Sequence, residues 1–436
     1  MNPFAALPGD VTVVRESQLA ASVGAEGIHF EGVDDYFARA IRQNTWPRAV
    51  RVTLNEVTCS GLSEVLLRFP VADFVTIRGL VSSIQGQLGP LAKTRAVSFE
   101  LAGNRLWSES LEKSLLSLPL VELGLDTTRA EPFVLSAPGL STHRPDPADD
   151  AFELLRKVGH KLERLSLVTD KPLLARLETE LGGLRHLSLH GSEHVVPRLR
   201  SLRSLTVHGL FNATGELESL ETIRIRTQVS HEALGALGCS RVKEVIWEGD
   251  AAGLGFLLAR YGKTVERLVV TLPTHGAELV RANPALPMLR ELNATGDDAL
   301  IAWLVENELL RLEVVDFFTH VADGPLASLI RRFGATLKST LSQLGLASLE
   351  ALLVLETPVF ESARFSSQLD SRHLAQLARR PIAKTLRTLE WETPLTSADA
   401  RLLADPAVFP SLTRLNANGS ELTDGEREAV SRRLRG

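Results

Sequence analysis

The sequence predicts an α/β solenoid, a curved array with a parallel β-sheet on its concave side and helices on its convex side. Three observations carry that expectation. A short phrase (apolar, two variable residues, apolar, one variable, apolar) returns at intervals near 23 residues, most clearly at 162–167, 184–189 and 202–207. Glycine stands two positions beyond the phrase in eight of its sixteen copies, as Gly32, Gly79, Gly103, Gly191, Gly209, Gly249, Gly296 and Gly419. The 12 to 18 residues between phrases carry helical spacing, as in 254–261. A unit of this length cannot bury its apolar face alone and must stack on its neighbours.

The copies start at 25, 49, 72, 96 and 120, with nearly constant spacing. They continue at 162, 184, 202, 220, 242, 265, 289, 312, 349, 386 and 412. Within each phrase the apolar pair, such as Leu165 and Leu167, has period two and points to one face of a strand. Trp247 and Trp391 fall at such inward positions and read as core. The glycine after the strand suits a sharp turn out of the sheet. Gly159, Gly262 and Gly334, each three residues before a phrase, read as left-handed helix stops.

Residues 1–20 read as a lead-in and 21–425 as about sixteen degenerate repeats. The end of a charged capping helix follows at 426–436, as array ends require. Two stretches break the rhythm. Residues 126–152, with Pro138, Pro145 and Pro147, read as an extruded loop or a degenerate repeat. Across 320–385 two intervals stretch to 37 residues, with Leu337 as a partial start. The apolar run 349–355 fits a helix or a buried strand equally well.

With its Leu-x-x-Leu-x-Leu phrases, the chain resembles the leucine-rich repeat family, in its ribonuclease-inhibitor-like type, over about residues 20–425. The family's asparagine or cysteine after the phrase is mostly replaced here by the glycine turn. The resemblance implies a horseshoe whose concave face binds a protein, with no catalysis and no cofactor.

Composition bounds the alternatives. Apolar residues at 44% and charged residues at 23% describe a folded chain. A net charge of −5 argues against a general nucleic-acid binder. Cys59 and Cys239 stand 180 residues apart, too far to meet in an array whose repeats touch only neighbours. The first residues show no basic leader followed by an apolar run, and no apolar run of membrane-spanning length occurs. A monomeric cytoplasmic protein is expected. The excess of arginine over lysine (39 to 9) fits a GC-rich bacterial genome.

Candidate chemistry is sparse. Gly262-Lys263-Thr264 ends like a phosphate loop, but it follows a helix and precedes a strand, the inverse of that motif. His231-Glu232 begins a zincin motif that Gly235 breaks. Asn212, Asn293 and Asn418 open glycosylation-like triplets that read as strand ends and turns. No catalytic signature is present.

One constellation remains. Residues between and beyond the apolar pair stand side by side on the concave face, about 4.8 Å apart. They include Arg164, His186, His190, His208, Arg224 and Arg226, then Glu244 and Glu248, with Phe318 as the large aromatic. Further along stand Arg267, Glu291, Asp316, Glu390 and Glu392. The face is thus expected to be basic in its middle and acidic beyond. Its bland reading is a solvated polar surface. Its functional reading is a protein contact surface, since clustered charge steers and orients an oppositely charged partner. His190 and His208 occupy equivalent positions in adjacent repeats, but a metal there would face Arg226. Two other readings stand beside it: a regulatory module sensing an anionic ligand through the arginines, and an enzyme or effector with its site in the irregular stretches.

Overall fold

The computed structural model describes residues 4, 10–80, 84, 88–102, 109–128, 147–191, 194–214, 216–227, 229–271, 279–280, 284–417 and 421–435. The chain divides into two compact units, Met1–Ser240 and Arg241–Gly436.

In the first unit ten described strands run parallel, each pairing with the next in sequence. They are Val11–Val13, Gly27–Phe30, Arg51–Val57, Phe74–Leu80, Ala96–Ala102, Leu120–Asp126, Arg164–Val168, His186–His190, Ser204–His208 and Thr222–Ile225. Burial alternates along them: Leu165, Leu167, Leu187, Leu189, Leu205 and Val207 are buried while their neighbours stay partly open. Each such side chain contributes about 1.5–3 kcal/mol by leaving water. Where repeats shrink to 18 residues, at 184–220, too little chain remains for a helix. The return is extended instead, and His194–Val196 pairs in parallel with Phe211–Ala213. Asn212 lies in the second of these strands.

The first repeats are closed by an aromatic cluster. Trp46 stacks on Phe69 at 5.2 Å and meets Phe30 edge-on at 5.3 Å, and its Nε1 donates to Ser22 Oγ at 3.0 Å.

The second unit repeats the plan with Glu244–Trp247, Arg267–Val270, Glu291–Ala294, Val314–Phe317, Ser339–Leu344, Ser362–Phe365, Thr388–Trp391 and Arg414–Ala417, again paired in sequence order. Between them lie helices such as Ala251–Tyr261, Asp298–Glu306, Ser371–Ala378 and Ser397–Ala404. Asp250, Asp297, Asp370 and Thr396 cap these four through their side chains. Each cap satisfies an orphan N–H and is worth about 1 kcal/mol. Trp247 and Trp391 are buried, as their inward positions predict.

Two ladders tie consecutive repeats of this unit together. Thr264, Thr336 and Thr385, each just before a phrase, place Oγ1 at 2.7–2.8 Å from the carbonyls of Val242, Leu312 and Phe360, the first residues of the preceding repeats. The second ladder is ionic. Lys243, Glu266, Arg290, Glu313, Lys338, Glu361 and Arg387 occupy one position in seven consecutive repeats, with alternating sign. Pairs form between Lys243 and Glu266 (3.9 Å), Glu313 and both Arg290 (3.0 Å) and Lys338 (2.5 Å), and Arg387 and Glu361 (3.6 Å). Their backbones share the job: the Lys243 carbonyl accepts from both Glu266 N and Arg267 N, and the same double acceptance recurs at every later step.

Four expectations need correction. The run 349–355 is not a strand phrase, because Leu346–Leu353 is a helix with Leu349 and Leu352 buried. The stretch 320–385 holds strands of two further repeats, starting at 337 and 360, and the sheet is irregular there, with a register shift between Ser339 and Gln343. Of the two, the sequence signals only Leu337, as a partial start, because the inward residues are atypical: Thr340 and Ser342 are buried but polar, and Ala363 is small. Second, the 24-residue spacing aligns Phe99 and Leu101 with Val75 and Ile77, whereas the sheet pairs Val75 with Val97 and Ile77 with Phe99. These strands are seven residues long, so a two-residue slide keeps every side chain on its own face.

Third, Gly262 and Gly334 are not left-handed stops. Both continue right-handed, at φ −55° and −57°. Glycine is needed there for space, since a Cβ at Gly262 would lie 3.0 Å from the Ala285 carbonyl and one at Gly334 would lie 2.6 Å from Leu355 Cδ2. Gly159 also lacks a positive φ. Fourth, Val11–Val13 pairs with Gly27–Phe30, so the sheet begins within the expected lead-in. Of the expected loop, Pro147 onward is the helix Pro147–Val158, with Asp149 and Asp150 complementing the dipole of its first turn. Residues 129–146, with Pro138 and Pro145, lie outside the described residues, as do Gly103, Asn418 and Gly419.

Candidate interaction surface

The register turns the polar residues of the first unit into rows across the open face of its sheet. One row runs His29, Thr53, Thr76, Ser98, Glu122, Arg164, His186, Ser204 and Thr222. A second runs Arg78, Glu100, Gly124, Ser166, Ser188, Thr206 and Arg224. The third brings Asp126, Val168, His190 and His208 into line.

Six of the nine sequence-identified residues therefore fall on one patch: Arg164, His186, His190, His208, Arg224 and Arg226. The two equivalent histidines meet as expected, with ring centroids 4.0 Å apart and planes 14° from parallel. Ser188 Oγ lies 3.2 Å from His190 Nε2. Among the described residues no three His, Cys, Asp or Glu side chains converge as metal ligands. Cys59 and Cys239 are both buried, and neither is in a disulfide.

Burial and the arginines together hold these rings neutral. Desolvation, then the neighbouring His190, Arg226 and Arg224, push the His208 pKa down to about 4. His190 is lowered by burial and then by Arg226, and His186 by burial and then by Arg164. Glu122 moves the other way, raised by burial against the pull of Arg164. A histidine whose folded pKa lies below its unfolded value of 6.5 binds fewer protons folded than unfolded between those two points. Stability is then full above 6.5 and falls as pH drops toward 4. His208→Gln is expected to flatten that fall, as measured by urea denaturation at several pH values, and NMR titration should place the His208 midpoint near 4.

Glu244, Glu248 and Phe318 belong to the second unit. Glu244 is paired with Arg267, which also reaches Glu291 at 3.1 Å. Arg364 likewise joins Glu390 at 3.6 Å and Glu392 at 3.1 Å. The expected acidic zone is thus laced with its own arginines. Phe318 is 54% exposed just beyond the strand Val314–Phe317, so it is available for contact.

The sequence reading missed a second feature, at the other end of the first unit's open face. Glu31 Oε1 accepts from Asn55 Nδ2 (2.7 Å), Arg78 Nη1 donates to Asn55 Oδ1 (3.3 Å), and Arg78 Nε meets Glu100 Oε2 (2.8 Å). This chain of polar contacts crosses four consecutive strands and stops at Gly124, which offers no side chain. Among the described residues a hollow of about 650 Å³ opens there, with half-buried Ala102 and Val168 as its apolar lining and Glu31, Glu56, Glu100 and Asp126 as its carboxylates. Glu56 sits at φ 51°, in the left-handed region, where the sheet register shifts between Leu54 and Val57. The signal was in the sequence: Glu31, Asn55 and Arg78 share the seventh position of successive phrases. No model of a known protein family matches this chain, and no characterised protein matches it in sequence.

Proposed function

We propose that the chain is a non-catalytic, leucine-rich-repeat-type solenoid of the bacterial cytoplasm, a monomer that holds a protein partner on the concave face of its first unit. The observation that supports this reading is the charge state of the patch. Arg164 and Arg224 form no ion pair among the described residues, whereas the Arg267 and Arg364 side chains of the second unit are each held by two glutamates. Unpaired guanidinium groups flanked by neutral imidazoles attract acidic side chains and fix their orientation by forked hydrogen bonds. No helix among the described residues is long and apolar enough to cross a membrane.

The test is capture of partners by the immobilised full-length chain from its native cell, at low and high salt. Arg164→Glu/Arg224→Glu is expected to lose partners that the wild type retains, and retention should weaken as salt rises. Arg331→Glu, on the outer helix Asp323–Phe333, serves as the control and should capture the wild-type set. An unchanged partner set in the double variant would sink the proposal. The second reading, a sensor of a small anion, draws on the same arginines. It predicts that inorganic phosphate alone raises the melting temperature of the wild type and not of the double variant.

A further inference from the structure

The hollow around Gly124 and the basic patch share one sheet face, and they differ in sign. Among the described residues four carboxylates, on Glu31, Glu56, Glu100 and Asp126, line the hollow against one guanidinium, that of Arg78, which is already held by Glu100. Between them the lining is apolar at Ala102 and Val168, which stand in one row with Asp126 on the open face. Gly124 is what keeps the space open: a Cβ there would stand 3.1 Å from Glu100 Cγ, and any longer side chain would occupy the hollow itself. An apolar wall at Ala102 and Val168 beside an anionic rim suits a positive head on a hydrocarbon stem.

We propose, building on the protein-binding reading above, that the hollow seats a lysine or arginine side chain of the partner. The same partner segment lays acidic residues on Arg164, Arg224 and Arg226. The geometry sets the spacing. From the strand Leu120–Asp126, which carries Gly124, to the strand Thr222–Ile225, which carries Arg224, there are four steps between paired strands. At about 4.8 Å each these span roughly 19 Å, which an extended chain covers in about six residues. The recognised segment is therefore bipartite, with one basic residue and acidic residues two to six positions away. Its polarity along the sheet is set by which end of the face each charge meets, so the reversed spacing pattern binds in the opposite chain direction.

Selection of a randomised twelve-residue peptide library on the intact chain tests this. Wild type is expected to enrich peptides with a basic residue and an acidic group within that distance. Glu56→Gln/Asp126→Asn removes two rim charges while keeping side-chain size and the hydrogen bond from Thr128 N to residue 126. That variant should bind a selected peptide about tenfold more weakly, and should bind its lysine-to-norleucine analogue no differently from wild type. Enrichment of acidic residues without a basic one would overturn the seat for the cation and leave the basic-patch reading standing. Peptides whose binding is indifferent to Arg164→Glu/Arg224→Glu would overturn both.

Discussion

Trp46→Ala is expected to destabilise the first unit by about 3–5 kcal/mol, the range for removing a large aromatic from a closed core. Trp46 is fully buried, and three consequences follow from its loss. The stack on Phe69 and the edge contact with Phe30 disappear, and Ser22 Oγ loses the indole N–H that it accepts. Trp46→Phe keeps most of the ring contacts and should cost clearly less. Because each repeat of a stacked array leans on its neighbours, the damage should show locally. Hydrogen exchange should lose protection first in the strands Gly27–Phe30, Arg51–Val57 and Phe74–Leu80, and last in Ser204–His208. Uniform loss across the first unit would mean that it unfolds as one block.

Gly209→Ala is expected to cost about 3 kcal/mol, at the upper end for overpacking, because the obstruction is backbone and not a movable side chain. A Cβ at residue 209 would overlap the carbonyl group of Gly191, lying 2.7 Å from its carbon. Gly191 in turn presses on Thr169, where a Cβ would come within 2.9 Å of the carbonyl carbon, and it holds φ at +120°. The two glycines form a column that lets three successive turns of chain nest at the end of the sheet. Denaturant titration of Gly209→Ala beside Ser204→Ala, a change on the partly open face of the same repeat, separates the two kinds of effect. The second variant should stay within about 0.5 kcal/mol of wild type.

These two positions also show where the sequence was legible. The phrase located most strands because period two is a property of single strands, readable without knowing their neighbours. The glycines beyond it were found for the same reason, and Gly32 and Gly191 hold the positive φ of the expected turn, but a second role was missed. Gly209 and Gly262 serve close approach between repeats, and the distance between two turns of chain leaves no mark on either one alone. The repeat at 360 escaped, and the one at 337 was legible only as a partial start, because Thr340, Ser342 and Ala363 fill inward positions with polar or small side chains.

The candidate site divides in the same way. The arginine and histidine patch spans strands of even length, so equal positions in the phrase meant equal positions in space. The hollow lies where the sheet register slips at Leu54/Val57 and again at Val97/Ser98, and the two-residue slide between Phe74–Leu80 and Ala96–Ala102 kept phrase counting from aligning Glu100 with Arg78. Its depth also depends on an absent side chain, at Gly124, and a missing group is the hardest thing to notice in a string of letters.

The alternating ladder from Lys243 to Arg387 has a consequence of its own. Exposed ion pairs of this kind contribute at most about 1 kcal/mol each, so they are a weak glue. They are better regarded as a parity rule. The seven repeats from Lys243 to Arg387 come in two electrical kinds, and within that run each has only the opposite kind beside it. Removing or duplicating one repeat would bring two like charges together at the new seam, while removing or duplicating two would leave the alternation whole. The unit can lengthen or shorten smoothly only by even steps, and its ancestry is expected to be written in pairs.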